Sequence, residues 1–136
     1  MLERLASWLR RATPTVEWNS VALSTLAELA RRGPLRITDL VAAERITQPG
    51  MTGLVSRMAE AGLVSRAADP TDGRATLVSI TAAGLGYLDQ IHQSRARMIA
   101  EQVRRLSPAH QQSLAGALGA LTALAAQPIT PGAPTP

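Results

Sequence analysis

The sequence predicts a mainly α-helical fold carrying one small β-hairpin, and three observations predict it. Apolar residues recur at spacings of three and four through most of residues 2–124, as they do in helices with one inward face. Two of these segments lie only a few residues apart, with a capping residue and a proline at the head of the second. Between residues 63 and 80 the pattern changes to two short, partly β-branched runs around Asp69-Pro70-Thr71-Asp72-Gly73, whose turn formers close a hairpin.

Residues 1–12 place Leu2, Leu5, Ala6 and Leu9 on one side and Glu3, Arg4, Arg10 and Arg11 on the other, which makes a short amphipathic helix. Thr13-Pro14-Thr15 ends it, because a residue before proline is pushed out of the helical region. Asn19 caps a second helix carrying Leu23, Leu26, Leu29 and Ala30, which stops before Gly33-Pro34. Thr38 is the expected cap of a small third helix with Leu40, Val41 and Ala43 inward, ending near Arg45-Ile46. Thr47 caps the fourth, with Pro49 in its first turn, Met51, Leu54, Val55 and Met58 as its buried face, and Gly62 as its left-handed stop. The third and fourth segments form a helix-turn-helix whose second member is about 13 residues, or ~20 Å, long.

Segments 63–67 and 75–80 then pair as a hairpin directly after this motif, so the fold class is a winged helix-turn-helix flanked by N- and C-terminal helices. Thr81 caps a long helix reaching about residue 106, with Leu85, Leu88, Ile91, Met98, Val103 and Leu106 apolar. Gly84 and Gly86 weaken its first turns. Ser107-Pro108 opens a last helix on which Leu114, Leu118, Leu121 and Leu124 form a stripe among Ala and Gly. That helix has little polar surface, and a chain of 136 residues has few layers with which to cover it. A partner chain is therefore expected. The tail 127–136, with Pro128, Pro131, Pro134 and Pro136, reads as disordered.

Composition narrows the function. The length suits one core-forming domain. Lys+Arg 14 against Asp+Glu 10 leaves a formal charge of +4, and every basic residue is Arg, so a polyanion partner must be argued from where the arginines sit. With no cysteine there is no disulfide, thiolate metal site or thiol switch, which fits a cytoplasmic setting. No apolar run approaches the ~20 residues of a membrane span, so no membrane partner is expected. His92 and His110 are the only imidazoles and neither joins a nucleophile motif or a ligand cluster. No catalytic site, metal or cofactor is expected.

Removing the apolar face of the fourth helix leaves Gln48, Gly50, Thr52, Gly53, Ser56, Arg57 and Glu60. Most are small or uncharged hydrogen-bonding groups, as a helix entering a groove ~12 Å wide requires. Gln48 and Arg57 are the long donors, suited to adenine and to guanine or phosphate respectively. Arg66 and Arg74 flank the hairpin turn, where a guanidinium can enter a narrow, negative minor groove. Asp72, two positions before Arg74, is expected to cap the turn, to orient the guanidinium, or both.

The run Gly33-Pro34-Leu35-Arg36-Ile37-Thr38-Asp39-Leu40, then Ile46-Thr47-Gln48-Pro49-Gly50-Met51-Thr52, Glu60-Ala61-Gly62-Leu63-Val64, Asp69-Pro70-Thr71-Asp72-Gly73-Arg74 and Leu77-Val78-Ser79-Ile80-Thr81-Ala82-Ala83-Gly84 closely resembles the MarR family of bacterial transcriptional regulators. The likeness is contiguous over about residues 19–84, with the wing Asp-x-Arg, the Gly-Leu-Val helix exit and the Thr-x-x-Gly helix start in the family's order. It implies a homodimer that binds a pseudo-palindromic double-stranded DNA operator, usually represses, and in many members is released by a small phenolic or lipophilic ligand. By the same likeness Thr47, Gln48, Pro49, Gly50, Thr52, Ser56 and Arg57 match the recognition helix and Asp72 and Arg74 the wing pair.

The implied organisation is an N-terminal dimerisation helix and linker over 1–18, the DNA-binding domain over 19–84, C-terminal dimerisation helices over 85–126 and the tail. The chain departs from the family in a shorter first helix and in Gly73, where many members carry a second wing arginine. Without cysteine it cannot be a peroxide-sensing member, and two isolated histidines argue against the zinc-sensing ones. Two other readings are compatible with the residues alone. One is a winged-helix module that binds protein without sequence-specific DNA binding, for which the modest charge speaks. The other is a sensor or enzyme on the same scaffold, which needs a cluster of perturbed ionisable groups that the sequence does not supply.

Overall fold

A computed structural model describes residues 1–12 and 17–127. The elements run α1 (Leu2–Ala12), α2 (Ser20–Arg32), β1 (Leu35–Arg36), α3 (Ile37–Glu44), α4 (Gln48–Glu60), β2 (Val64–Ala68), β3 (Thr76–Ile80), α5 (Ala82–Arg104) and α6 (Pro108–Ala125). The fold is mainly helical with a small antiparallel sheet, as the apolar spacing predicts. The helix stop expected at Thr13-Pro14-Thr15 and the proline-rich tail beyond Gln127 lie outside the described residues. The chain divides into two compact units, Met1–Ala96 and Arg97–Pro136.

Local chemistry sets the helix starts. Asn19 accepts the Ala22 N–H at 2.9 Å and Thr47 accepts the Gly50 N–H at 3.2 Å, each satisfying a donor that the first turn leaves free. The expected cap at Thr38 is corrected: α3 begins at Ile37, Arg36 holds the N-cap position in extended backbone, and Thr38 lies inside the first turn. Two forces move the boundary. Pairing of Leu35 with Val78 and Arg36 with Leu77 keeps the chain extended up to Arg36, and Asp39 accepts the Arg36 N–H at 3.1 Å from within the helix. The strand β1 itself was not expected, because Gly33-Pro34 reads only as a helix stop. Between α3 and α4, Arg45 takes a left-handed conformation (φ 53°, ψ 37°) and its N–H returns to the Val41 carbonyl at 3.0 Å, closing the tight turn.

The sheet has the order β1-β3-β2, with β2 and β3 antiparallel from Val64 opposite Ile80 to Ala68 opposite Thr76. The core joins Leu26 and Leu29 of α2, Leu40 of α3, Met51, Val55 and Met58 of α4, Val78 of β3 and Leu88 of α5. Each such side chain stabilises by about 1.5–3 kcal/mol on full burial. One face of α4 is thereby fixed inward and the other turned to solvent.

The exit of α4 is locked to the start of α5. Gly62 turns the chain at φ 75°, a left-handed geometry suited to glycine. The Thr81 hydroxyl donates to the Gly62 carbonyl at 2.6 Å and accepts the Gly84 N–H at 3.0 Å, while the Thr81 N–H donates to the Leu63 carbonyl at 3.0 Å. The helix therefore packs so closely on this turn that a Cβ on Gly84 would overlap the Leu63 carbonyl oxygen. On α6, Leu114, Leu118, Leu121 and Leu124 are 42%, 62%, 52% and 65% exposed, so the leucine stripe stands uncovered on the single chain.

Candidate nucleic-acid interface

The outward face of α4 carries the predicted recognition residues. Thr47, Gln48, Pro49, Gly50, Thr52 and Arg57 are exposed and Ser56 is half-buried, while Met51, Leu54, Val55 and Met58 on the opposite side are buried. Thr47 and Pro49 shape the helix start: the first caps it and the second occupies its first turn. Gly50 leaves room for that cap, since a Cβ there would come within 3.0 Å of the Thr47 hydroxyl oxygen.

A groove of about 400 Å³ runs between α4, the head of α3 and the wing, and Gln48, Thr52, Asp72 and Arg74 line it together with Arg36 and Thr38. The α4 and wing residues of this lining, twenty or more positions apart in sequence, thus present their polar groups to one concave surface. Ser56 and Arg57 are not part of that lining; they lie about one turn further along α4. The Ser56 hydroxyl accepts a hydrogen bond from Arg66 Nη1 at 3.0 Å, which ties β2 to α4.

At the wing, Asp72 Oδ1 accepts the Arg74 backbone N–H at 3.1 Å, the turn-capping role expected of it. Among the described residues no ion pair joins it to the Arg74 guanidinium. The carboxylate that does pair with arginine is Asp69, whose Oδ2 accepts from Arg36 Nε at 2.6 Å. Its Oδ1 accepts from both the Thr71 hydroxyl (2.7 Å) and the Thr71 N–H (2.8 Å). The Thr71 hydroxyl bond, then the Thr71 amide and then Arg36 hold the Asp69 carboxyl down at about 2, against the opposing effect of desolvation. Asp69 is therefore ionised throughout the neutral range. Arg36 is the groove-lining residue that sequence reasoning missed: its partner lies 33 positions away, and nothing local to Arg36 marks the pairing.

His92 and His110 are exposed, on α5 and α6 respectively. Among the described residues no group of three or more His, Asp or Glu is placed to hold a metal, and no helix is long and apolar enough to cross a membrane.

Residues 18–76, which hold the helix-turn-helix and most of the wing, match the MarR family model. The HTH-type transcriptional regulator Mb0904 of Mycobacterium bovis is 31% identical over 121 residues, covering 89% of this chain and 85% of that protein. The HTH-type transcriptional repressor NicR of Pseudomonas putida is 33% identical over 82 residues, 60% of this chain and 51% of that one. Among solved structures, RV1404 from Mycobacterium tuberculosis superposes with a TM-score of 0.77 at 23% identity, covering 93% of this chain and 90% of its own. The PcaV transcriptional regulator from Streptomyces coelicolor, solved with its natural ligand, superposes at 0.62 with 22% identity over 91% and 88% of the two chains. The helix-turn-helix and its wing therefore sit in a known context of regulators and not of enzymes, and the chain belongs to the MarR family of transcriptional regulators.

Proposed function

We propose that this regulator is a cytoplasmic repressor that binds a pseudo-palindromic double-stranded DNA operator as a homodimer. The observation that carries the reading is the shared groove: Gln48 and Thr52 of α4 and Arg74 of the wing line one polar concavity beside the exposed α4 face. In this reading two copies of α4 enter successive major grooves one helical turn, ~34 Å, apart, while the wings reach the flanking minor grooves. The uncovered leucines of α6 supply an apolar surface for the twofold contact. A homodimer seated on a promoter excludes other proteins from it, and the repressor NicR among the relatives supports that sign of regulation.

Release by a small phenolic or otherwise lipophilic ligand completes the proposal, and the ligand-bound PcaV neighbour supports it. The ligand needs only to bind the DNA-incompetent arrangement more tightly, because a change of a few ångströms in the separation of the α4 helices breaks half-site register.

Two substitutions test the DNA contacts, each titrated at fixed salt and then across a salt series on a duplex that the wild-type protein selects from a random pool. Arg57→Ala is expected to weaken binding by about 1–3 kcal/mol, since Arg57 offers a long guanidinium from the exposed α4 face. Unchanged affinity removes Arg57 from the interface. Arg74→Ala is expected to weaken binding and to flatten the log-log salt dependence by about one unit, the signature of one lost phosphate contact. A wild-type slope removes Arg74.

A further inference from the structure

One side chain from outside the hairpin bonds to the wing loop itself. Arg36, at the junction of β1 and α3, donates through Nε to Asp69 Oδ2 at 2.6 Å and through Nη2 to the Thr71 hydroxyl oxygen at 3.2 Å. Asp69 is only 7% exposed, and its second oxygen is taken by the Thr71 hydroxyl and amide. Arg36, Asp69 and Thr71 thus close a ring of hydrogen bonds in which the Thr71 hydroxyl both accepts from arginine and donates to aspartate. The ring sits at the base of the wing loop, where the Asp69 N–H meets the Ala75 carbonyl and the Ala75 N–H meets the Asp72 carbonyl, both at 2.9 Å. Arg36 also lines the groove that holds Gln48, Thr52 and Arg74.

A two-stranded ribbon alone is marginally stable, so the direction of its tip depends on what anchors it. Here β3 is anchored through β1 by only two residue pairs, Leu35 with Val78 and Arg36 with Leu77. The side chain of Arg36 adds the tie to the loop itself. We propose that Arg36 is a positioning residue for DNA binding, holding the wing loop so that Arg74 and the recognition helix meet the same duplex, with its own charge committed to Asp69 and not to a phosphate. This rests on the reading of Arg74 as a DNA contact.

Charge committed to a nearly buried carboxylate is not available to DNA, because a guanidinium that left for a phosphate would strand Asp69 without its cation. The prediction therefore differs in kind from that for an arginine on the DNA. Arg36→Met, Asp69→Asn, Arg74→Ala and the double variant Arg36→Met/Arg74→Ala are compared on the selected 30-bp duplex through a potassium chloride series, with the melting temperature of each recorded. Arg36→Met is expected to weaken binding about 5- to 10-fold while keeping the wild-type salt slope, and to cost less than about twofold when Arg74 is already absent.

Asp69→Asn gives the decisive sign and keeps the test alive if Arg36→Met does not fold. Removing a carboxylate beside DNA strengthens binding by simple charge, whereas loss of the ring is expected to weaken it by a similar 5- to 10-fold. A slope reduced by about one unit in Arg36→Met, additive losses in the double variant, or tighter binding by Asp69→Asn would overturn the proposal. If Arg74→Ala weakens binding but Arg36→Met does not couple to it, only the positioning role falls. If Arg74→Ala changes neither affinity nor slope, the wing reading falls and the positioning role with it.

Discussion

Gly84→Ala is expected to destabilise the protein by about 3 kcal/mol and to lower its thermal midpoint by roughly 10 °C. The added methyl would overlap the Leu63 carbonyl oxygen and approach Ile80 Cγ1 to 2.8 Å. Ile80 can change rotamer; the carbonyl cannot move freely, because it accepts the Thr81 N–H at 3.0 Å in the same turn that the Thr81 hydroxyl closes on Gly62. Relief would require α5 to lift from the exit of α4. Gly86→Ala is the control: nothing lies within 4 Å of the position, so the better helix former is expected to leave stability unchanged or raise it by up to ~1 kcal/mol. Thermal unfolding followed by circular dichroism at fixed protein concentration separates the two. Equal midpoints for both variants would mean that the close approach at Gly84 does not exist.

Replacing Leu118 and Leu121 together by Glu is expected to convert the proposed dimer into monomers and to lower operator affinity at least ~100-fold. The two side chains are 62% and 52% exposed on the single chain, in a stripe with Leu114 and Leu124. Covering a leucine is worth about 1.5–3 kcal/mol when complete, and a twofold contact counts each substitution twice. Four carboxylates placed in that contact would also repel. A monomer retains one half-site's contacts and loses the effective concentration that linkage gives the second. Sedimentation velocity and a DNA titration measure both consequences. A variant that remains dimeric would place the contact elsewhere.

The helical part of the fold was legible because its determinants are local. Asn19, Thr47 and Ser107 each cap the helix that the sequence assigns to them, and Gly62 adopts the left-handed turn expected of it. The outward face of α4 was legible for a related reason: burial of Met51, Leu54, Val55 and Met58 leaves Gln48, Thr52 and Arg57 facing out by helical geometry alone.

What escaped was non-local. β1 is two residues long and exists because β3 pairs with it, which no propensity of Leu35-Arg36 announces. That pairing also displaced the helix cap from Thr38 to Arg36. The Arg36 bond to Asp69 crosses 33 positions, so the wing's ion pair forms at Asp69, while Asp72 takes the turn-capping role of the two expected of it. The Thr-x-x-Gly start of α5 was visible as a pattern, yet its physical cause, contact with the Leu63 carbonyl, belongs to the folded chain.

Hydroxyl-radical footprinting of the wild-type protein, on the duplex it recovers from a random pool, tests the DNA-binding account most directly. The expected result is two protected half-sites related by twofold symmetry, their centres about 10 bp apart, flanked by protected minor grooves and occupied by two chains per duplex. Recovery of no preferred sequence, with protection displaced equally by bulk DNA, would contradict it.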